Sequence, residues 1–446
     1  MTALPFPHPV LSHLALAIAL TLGGAASAQA QSLVDLYEAA RGFDSTLQSA
    51  RAQHDAALAK AEQAKAGLRP QAGLGAGASW ANSSNSVTDT SKTSNSQNVA
   101  LSASQPLYRP VNRFNSEQGQ LSIDIAKAQL DAAEQDLIVR TAQAYFDVAA
   151  AQDTLTFVQA QKSAVSEQLA SAKRNFEVGT STVTDSREAQ ARFDLVVAQE
   201  IAASNDLLVK KLALDQLVGR SGAIPRALAA PVTLPTVLPA DPEAWVQEAL
   251  RQHPVVRQTD KAFEIAEIEA QKAQAGHKPT LDLVGQYQVA RGPSSSFPTA
   301  GNVRSNTASV GLQFNLPLYA GGAIQNRVKE ALALVEKSRA DRETALRTIS
   351  QATRSAYFGV LSGMGQVKAL EAAEASSQSA LDANKLGYQV GVRINIDVLN
   401  AQSQLFQTKR DLAVARYNVL VGQLRLKQAG GVLKAEDLQP VNALLK

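Results

Sequence analysis

No cysteine occurs anywhere in the 446 residues. That excludes structural disulfides, thiolate metal sites, a cysteine nucleophile and an N-terminal lipid anchor on cysteine. Histidine is nearly as scarce. Of the five present, His8 and His13 lie near the start, and His54, His253 and His277 lack metal-ligand spacing. Aromatic residues make up only 5%. Charge of one sign is also missing: 43 Lys and Arg face 40 Asp and Glu, a net charge of +3. Without a basic field, nucleic acid is not an expected partner. No P-loop or serine elbow appears. Gly73-Leu74-Gly75-Ala76-Gly77 is glycine-rich, but it lies in an alternating segment and opens no helix, so it does not read as a phosphate cradle. No catalytic constellation is visible, no cofactor is implied, and the chain does not read as an enzyme. After residue 30 no window is apolar enough for a transmembrane helix. Any membrane span must therefore be made of β-strands.

The first thirty residues stand apart from the rest. Leu14 to Leu22 is an apolar run, shorter than the ~20 residues that a spanning helix needs. Ala26-Ser27-Ala28-Gln29-Ala30 offers small residues to a signal peptidase, with cleavage expected among residues 28–31. The segment before the run carries no Lys or Arg, unlike most signals. Residues 1–30 are expected to be a signal peptide and the remainder an exported protein.

The chain is written twice. Phe176-Glu177-Val178-Gly179 recurs as Tyr388-Gln389-Val390-Gly391, an offset of 391 − 179 = 212. Ala144-Tyr145-Phe146 recurs as Ala356-Tyr357-Phe358 at the same offset, Asp185 matches Asp397, and Ala189-Gln190 matches Ala401-Gln402. Pro106-Leu107-Tyr108 returns as Pro317-Leu318-Tyr319, and Ala66-Gly67 with Pro70 as Ala275-Gly276 with Pro279. The expected organisation is a first repeat over 31–219, a Pro-rich linker over 220–240, a second repeat over 241–430 and a C-terminal tail over 431–446. Pro225, Pro231, Pro235 and Pro239 keep the linker out of helix. Asp241-Pro242 and Ser32 read as helix starts.

Each repeat reads as helix, two strands, helix, turn, helix, with one helix expected before the strands. Leu74, Ala76, Ala78 and Trp80 alternate with Gly73, Gly75, Gly77 and Ser79, giving a strand over about 71–82. Its partner covers about 97–105. In the second repeat strands are expected over about 280–290 and 305–316, where Ala308, Val310, Leu312, Phe314 and Leu316 alternate with small or polar residues. Period-two alternation in all four strands suits a sheet between lipid and a water-filled lumen. The connections Asn82 to Gln97 and Arg291 to Arg304 read as solvated loops. The helices that follow are long: no proline interrupts Asn115 to Glu177, and Gly322 to Leu386 is its copy, with Gly359, Gly363 and Gly365 as weak points. Val398, Leu405, Leu412, Val419 and Leu426 keep an unbroken heptad, which is coiled-coil packing. Four strands cannot close a barrel, for which about eight is the minimum, so the chain must associate.

Two turns join the helix pairs, over 176–184 and 388–396. Gly179 and Gly391 read as left-handed caps. Asp185-Ser186-Arg187-Glu188 reads as a capping box, and Asn395 and Asp397 stand at the equivalent place. Capping alone accounts for Asp185 and Asp397 as well as a functional latch does. Here the chain resembles the TolC family, over nearly its whole length. The run Tyr388-Gln389-Val390-Gly391-Val392-Arg393-Ile394-Asn395-Ile396-Asp397-Val398-Leu399-Asn400 is similar to that family's tip motif.

The resemblance implies a mixed α/β membrane protein. Three chains with four strands each would form a twelve-stranded transmembrane β-barrel, continued by an α-helical coiled-coil barrel across the periplasm. It implies a passive outer-membrane export tunnel, for type I protein secretion or small-molecule efflux, which cooperates with a periplasmic adaptor and an inner-membrane ABC or RND transporter. It also implies that Tyr388 and Arg393, facing Thr184 and Asp185, hold the periplasmic entrance closed while Asp397 lines it. Asn400 stands where the family carries a second acidic residue, leaving one carboxylate per chain. A periplasmic adaptor or coiled-coil interaction protein is the competing reading, and the duplication speaks against it.

Overall fold

The computed structural model describes residues 31–85, 90–229, 232–293 and 302–445. The expected signal peptide, Pro231 and the centres of the two polar connections lie outside the described residues.

In the first repeat, α1 (Leu33–Phe43) and α2 (Ser45–Ala66) lead into β1 (Gln71–Asn85) and β2 (Thr90–Tyr108), followed by α3 (Pro110–Glu177) and α4 (Val183–Val218). The second repeat gives α5 (Pro242–Gln252), α6 (Pro254–Gln274), β3 (Thr280–Pro293), β4 (Asn302–Asn315), α7 (Ala323–Gln389) and α8 (Asn395–Ala429). The last helix is α9 (Leu438–Asn442).

The helix before each strand pair is broken in two, where the sequence suggested one. His253 precedes Pro254, whose ring disfavours helical backbone at His253, and the His253 side chain instead accepts from the Val255 N–H. In the first repeat Asp44 makes the break and is held by Arg140, whose Nη1 donates to its carboxylate at 3.0 Å. Ser32 caps α1 in a full capping box with Asp35.

β1 to β4 form one antiparallel sheet in chain order. The register gathers the apolar side chains on one face: Leu74 lies opposite Leu101, Leu101 opposite Tyr287, and Tyr287 opposite Ala308. The other face carries rows such as Gly73, Ser102, Gln286 and Ser309. The strands run further than the alternation suggests. Asn82 to Ser84 pair with Thr93 to Ser91, and Arg291 to Pro293 pair with Arg304 to Asn302, inside segments expected to be loops. Ser, Thr and Asn carry no hydrophobic period, yet the ladder needs only backbone donors and acceptors, so pairing continues past the point where the pattern stops. At the other end of the sheet Arg109 donates to Asp282 at 2.6 Å, tying the end of β2 to the start of β3.

α3 has 68 residues and α7 has 67, each rising about 100 Å along its axis. Pro110 sits at the first position of α3, where its missing N–H costs nothing. α7 passes uninterrupted through Gly359, Gly363 and Gly365. At Gly363 a Cβ would come within 3.0 Å of Val419, so this glycine marks a close approach to α8. The α8 heptad is buried throughout: Val398, Leu405, Leu412, Val419 and Leu426 are all at most 3% exposed.

The repeated tyrosines have matching tasks. The Tyr145 hydroxyl lies 3.3 Å from the Gln31 carbonyl and accepts from the Arg226 N–H at 2.7 Å. The Tyr357 hydroxyl donates to the Ala240 carbonyl at 2.6 Å. Tyr145 thus ties the start of the first repeat to the linker that follows it, and Tyr357 holds the end of the linker just before the second repeat begins. Burial pushes the Tyr145 hydroxyl up to about 12, so it is neutral in this role. The segment after Gly430, expected as a tail, folds back: Asn442 accepts from the Leu33 N–H at 3.0 Å and Leu445 bridges to Leu228.

Compactness divides the chain differently from the repeat. One unit takes the residues up to Ser45 with Gln135–Trp245 and Thr353–Lys446; the other takes Thr46–Glu134 and Val246–Ala352. The first holds both turns between long helices, and the second holds the sheet. Among the described residues no helix is long and apolar enough to cross a membrane, and no cluster suited to a metal ion is present.

Candidate functional site

The two turns between long helices are built alike. After α3 the backbone reverses at Gly179 (φ 77°), where Thr180 N–H donates to Asn175 O at 2.8 Å. After α7 it reverses at Gly391 (φ 81°), where Val392 N–H donates to Gly387 O at 2.9 Å. Nothing lies within 4 Å of a Cβ built at either glycine. The left-handed backbone, not lack of space, calls for glycine here.

The capping residue of α4 differs from the sequence expectation. The helix starts at Val183, and Thr182 is its N-cap, with Asp185 as the third-position partner; Glu188 takes no part. Asp185 N–H donates to Thr182 Oγ1 at 3.1 Å, while Asp185 Oδ2 accepts from Ser181 Oγ at 2.7 Å and from the Thr182 N–H at 3.0 Å. The Ser181 hydrogen bond leads in holding the Asp185 carboxyl below its ordinary range; partial burial opposes it and the Thr182 contacts add to it. Thr184 is exposed in the first turn of α4.

On the second turn, Asp397 occupies the same third position but faces Ile394, which has no capping side chain. Its Oδ2 accepts weakly from the Ile394 N–H at 3.5 Å and lies 3.8 Å from Arg393 Nη1. Within one chain, Arg393 in the turn therefore pairs with Asp397 in the first turn of the helix that follows, and Asp185 is occupied by Ser181 and Thr182. The structure does not bring Arg393 and Asp185 together.

It does bring Tyr388 to the first turn. Tyr388 packs against the cluster of Leu381, Val398 and Leu405, and its hydroxyl accepts from Asn175 Nδ2 at 3.1 Å. Asn175 is thus a cross-repeat partner that sequence reasoning missed. Asn395, only 1% exposed, is a second. Its Nδ2 donates to the Asp185 carbonyl at 3.4 Å, and its Oδ1 accepts from Gln168 on α3. Asn400 accepts from Arg192 of α4 at 2.8 Å. One heptad further along both helices lie Gln161 and Gln402, which are 2% and 4% exposed and leave their side-chain oxygens without a partner among the described residues. A polar amide at a heptad position is the one signal that could have marked Gln161, Gln168, Asn395 and Gln402 in advance. The site is thus two glycine turns stitched by single polar contacts over a coiled-coil core of Val158, Val165, Leu169, Val196 and Leu399. It offers no nucleophile paired with a base, and its chemistry is that of separable polar links.

The model of the family described as "Outer membrane efflux protein" matches residues 36–220 and 245–432, one stretch per repeat. The outer membrane protein TolC of Escherichia coli is 33% identical over 96% of this chain and 88% of its own length. The alkaline protease secretion protein AprF of Pseudomonas aeruginosa is 30% identical over 92% of this chain and 86% of its own. The crystal structure of the outer membrane protein VceC from Vibrio cholerae superposes with a TM-score of 0.76 at 21% identity, covering 90% of this chain and 96% of that one, a likeness of fold.

Proposed function

This chain belongs to the outer membrane efflux protein family, and from that premise we propose that three copies assemble into one outer-membrane export channel whose periplasmic end is gated by the two polar turns. The protein is an outer-membrane channel of the efflux or type I secretion kind, with its helical part in the periplasm. The observation that carries the trimer is the four-stranded sheet: it has an apolar face and two unpaired edges, β1 and β4. Lipid cannot satisfy the backbone groups of an open edge, so the edges must pair between copies. Three copies supply 3 × 4 = 12 strands, enough to enclose an aqueous lumen.

Conduction through such a channel is passive, and the chain acts by position and not by catalysis or a bound cofactor. Energy and cargo come from an inner-membrane transporter of the ABC or RND type, joined to the channel by a periplasmic adaptor. At the entrance, Tyr388 and Asp185 belong to two turns linked through Asn175 and Asn395, and Arg393 and Asp397 are exposed enough to be re-paired by a neighbouring copy's Thr184 and Asp185. Each link is a single hydrogen bond or ion pair contributing about 0.5–3 kcal/mol. The ring is therefore strong enough to bias the entrance closed and weak enough to be opened by a docked partner.

Reconstitution of the purified protein into planar bilayers tests this. Discrete, long-lived conductance steps are expected, and a protein that leaves the bilayer silent while retaining its fold contradicts the channel.

A further inference from the structure

The register of β3 and β4 sets Arg291 directly opposite Arg304, and both are exposed. Like charges in directly facing positions destabilise an antiparallel pair, so this placement calls for a compensating anion. The two arginines lie on the same face as Leu281, Leu283, Tyr287 and Val289, which is the lipid-facing side of the sheet. Their height can be read from the ladder. The Leu281–Phe314 pair marks the end nearest the helices, and Arg304 lies 314 − 304 = 10 residues away along β4. At about 3.4 Å per residue and a tilt near 40°, ten residues climb roughly 25 Å along the membrane normal, which is the height of the lipid-facing band of an outer-membrane barrel. The arginine pair therefore falls at the polar boundary remote from α6 and α7, on the outer-leaflet side. Trp80 stands one row further out on β1 and is 73% exposed, as suits an indole at a membrane boundary.

Among the described residues, no acidic side chain stands in the paired rows around the two arginines. Gln97 of β2 lies opposite Arg291, and the adjoining β3–β4 rows hold Val289 with Asn306 and Pro293 with Asn302. In a closed barrel the free side of β4 meets β1 of the next copy, and Gln71–Asn85 contains no Asp or Glu. Two guanidinium forks at a lipid boundary, without a carboxylate from any adjoining strand, suit bidentate recognition of phosphate.

We propose that Arg291 and Arg304 form a binding site for the phosphate group of a glycolipid in the outer leaflet, with the glycolipid's acyl chains lying along the apolar rows beneath. The site recurs once per copy around the barrel, and it holds the barrel at a fixed depth. This rests on the outer-membrane reading above, so the experiment begins from the detergent-extracted assembly recovered from outer-membrane fractions. If the assembly is not found there, the membrane reading fails, and the arginine site is a separate matter.

Native mass spectrometry of that assembly, titrated with diphosphoryl lipid A, with the same lipid stripped of its phosphates and with inorganic phosphate, reads the site directly. The wild-type assembly is expected to bind the phosphorylated lipid about tenfold more tightly than the stripped one. The Arg291→Gln, Arg304→Gln double variant is expected to lose that preference, and Arg291→Lys, Arg304→Lys to keep most of it. Inorganic phosphate is expected neither to bind nor to compete. A wild-type assembly indifferent to the phosphates overturns the proposal whatever the variants do. So does an unchanged preference in the glutamine variant. Displacement by inorganic phosphate at comparable concentration would make the pair a plain anion site and overturn the lipid assignment.

Discussion

A charge walked along β4 should trace the thickness of the membrane. Phe314 marks the inner boundary of the apolar band, and Leu312, Val310, Ala308 and Asn306 follow on the same face, facing Leu283, Gly285, Tyr287 and Val289. At the rise and tilt used above they lie roughly 5, 10, 15 and 20 Å into a band of about 25 Å. Arginine facing lipid costs about 2–4 kcal/mol at the midplane and about 0–1 kcal/mol near the boundaries. Val310→Arg and Ala308→Arg should therefore be the most damaging, Leu312→Arg and Asn306→Arg milder, and the cost recurs in every copy of the assembly. Ser309 and Gln313 lie on the opposite face, beside Gln286 and Asp282. Ser309→Arg and Gln313→Arg project into water and should be close to neutral. The assay is the fraction of each variant recovered as SDS-resistant assembly, together with urea midpoints for folding into vesicles. A flat profile, a maximum at Leu312, or luminal variants as damaging as lipid-facing ones would refute the placement of the sheet.

Removing the turn contacts should open the entrance without unfolding the protein: Tyr388→Phe with Arg393→Ser should raise single-channel conductance while the SDS-resistant assembly persists, and unchanged conductance would reduce these residues to helix caps. Asp185, whose folded carboxyl is held below its ordinary range, contributes stability that is complete above the unfolded carboxylate pKa of about 3.9 and is lost as pH falls through the lowered folded value. Hydrogen exchange at the start of α4 should accordingly quicken only in strong acid, and Asp185→Asn should make it fast and pH-independent beyond the intrinsic rate. Gln161 and Gln402 each leave a buried oxygen unpaired. Gln161→Leu with Gln402→Leu should stabilise the helical unit by about 1–3 kcal/mol per relieved group, read as a raised urea midpoint, and a lowered midpoint would show that the amides find partners in the assembly.

The architecture was legible because its signals are periodic. Leu281, Leu283, Tyr287 and Val289 repeat every second residue, and Val398 to Leu426 repeat every seventh, so strand and coiled coil announce themselves through burial of one face. The outer ends of the strands were not legible. Asn82 to Ser84 and Thr93 to Ser91 pair through backbone alone, and their small polar side chains leave no pattern. Nor was the break at Asp44, where Arg140, nearly a hundred positions away, holds the carboxylate.

At the turns the glycines could be read from the sequence, since a positive φ restricts the residue type locally. The pairings could not. Asn175 meets Tyr388 across a sequence separation of 213 and Asn395 meets the Asp185 carbonyl across 210. Such contacts follow from how two helix hairpins pack, and nothing local encodes them. Thr182 with Asp185, and Asp185 with Glu188, satisfy the same spacing rule one turn apart, so the local sequence does not choose between the two caps.

The central claim is that the sheet of one chain is a fraction of a barrel completed by other copies. The most direct measurement is the mass of the detergent-extracted assembly by native mass spectrometry. One species of three chains is the expected result, and it should persist when the micelle is stripped in the gas phase. A folded monomer with its β1 and β4 edges unpaired, or a spread of masses without a closed stoichiometry, would contradict the account.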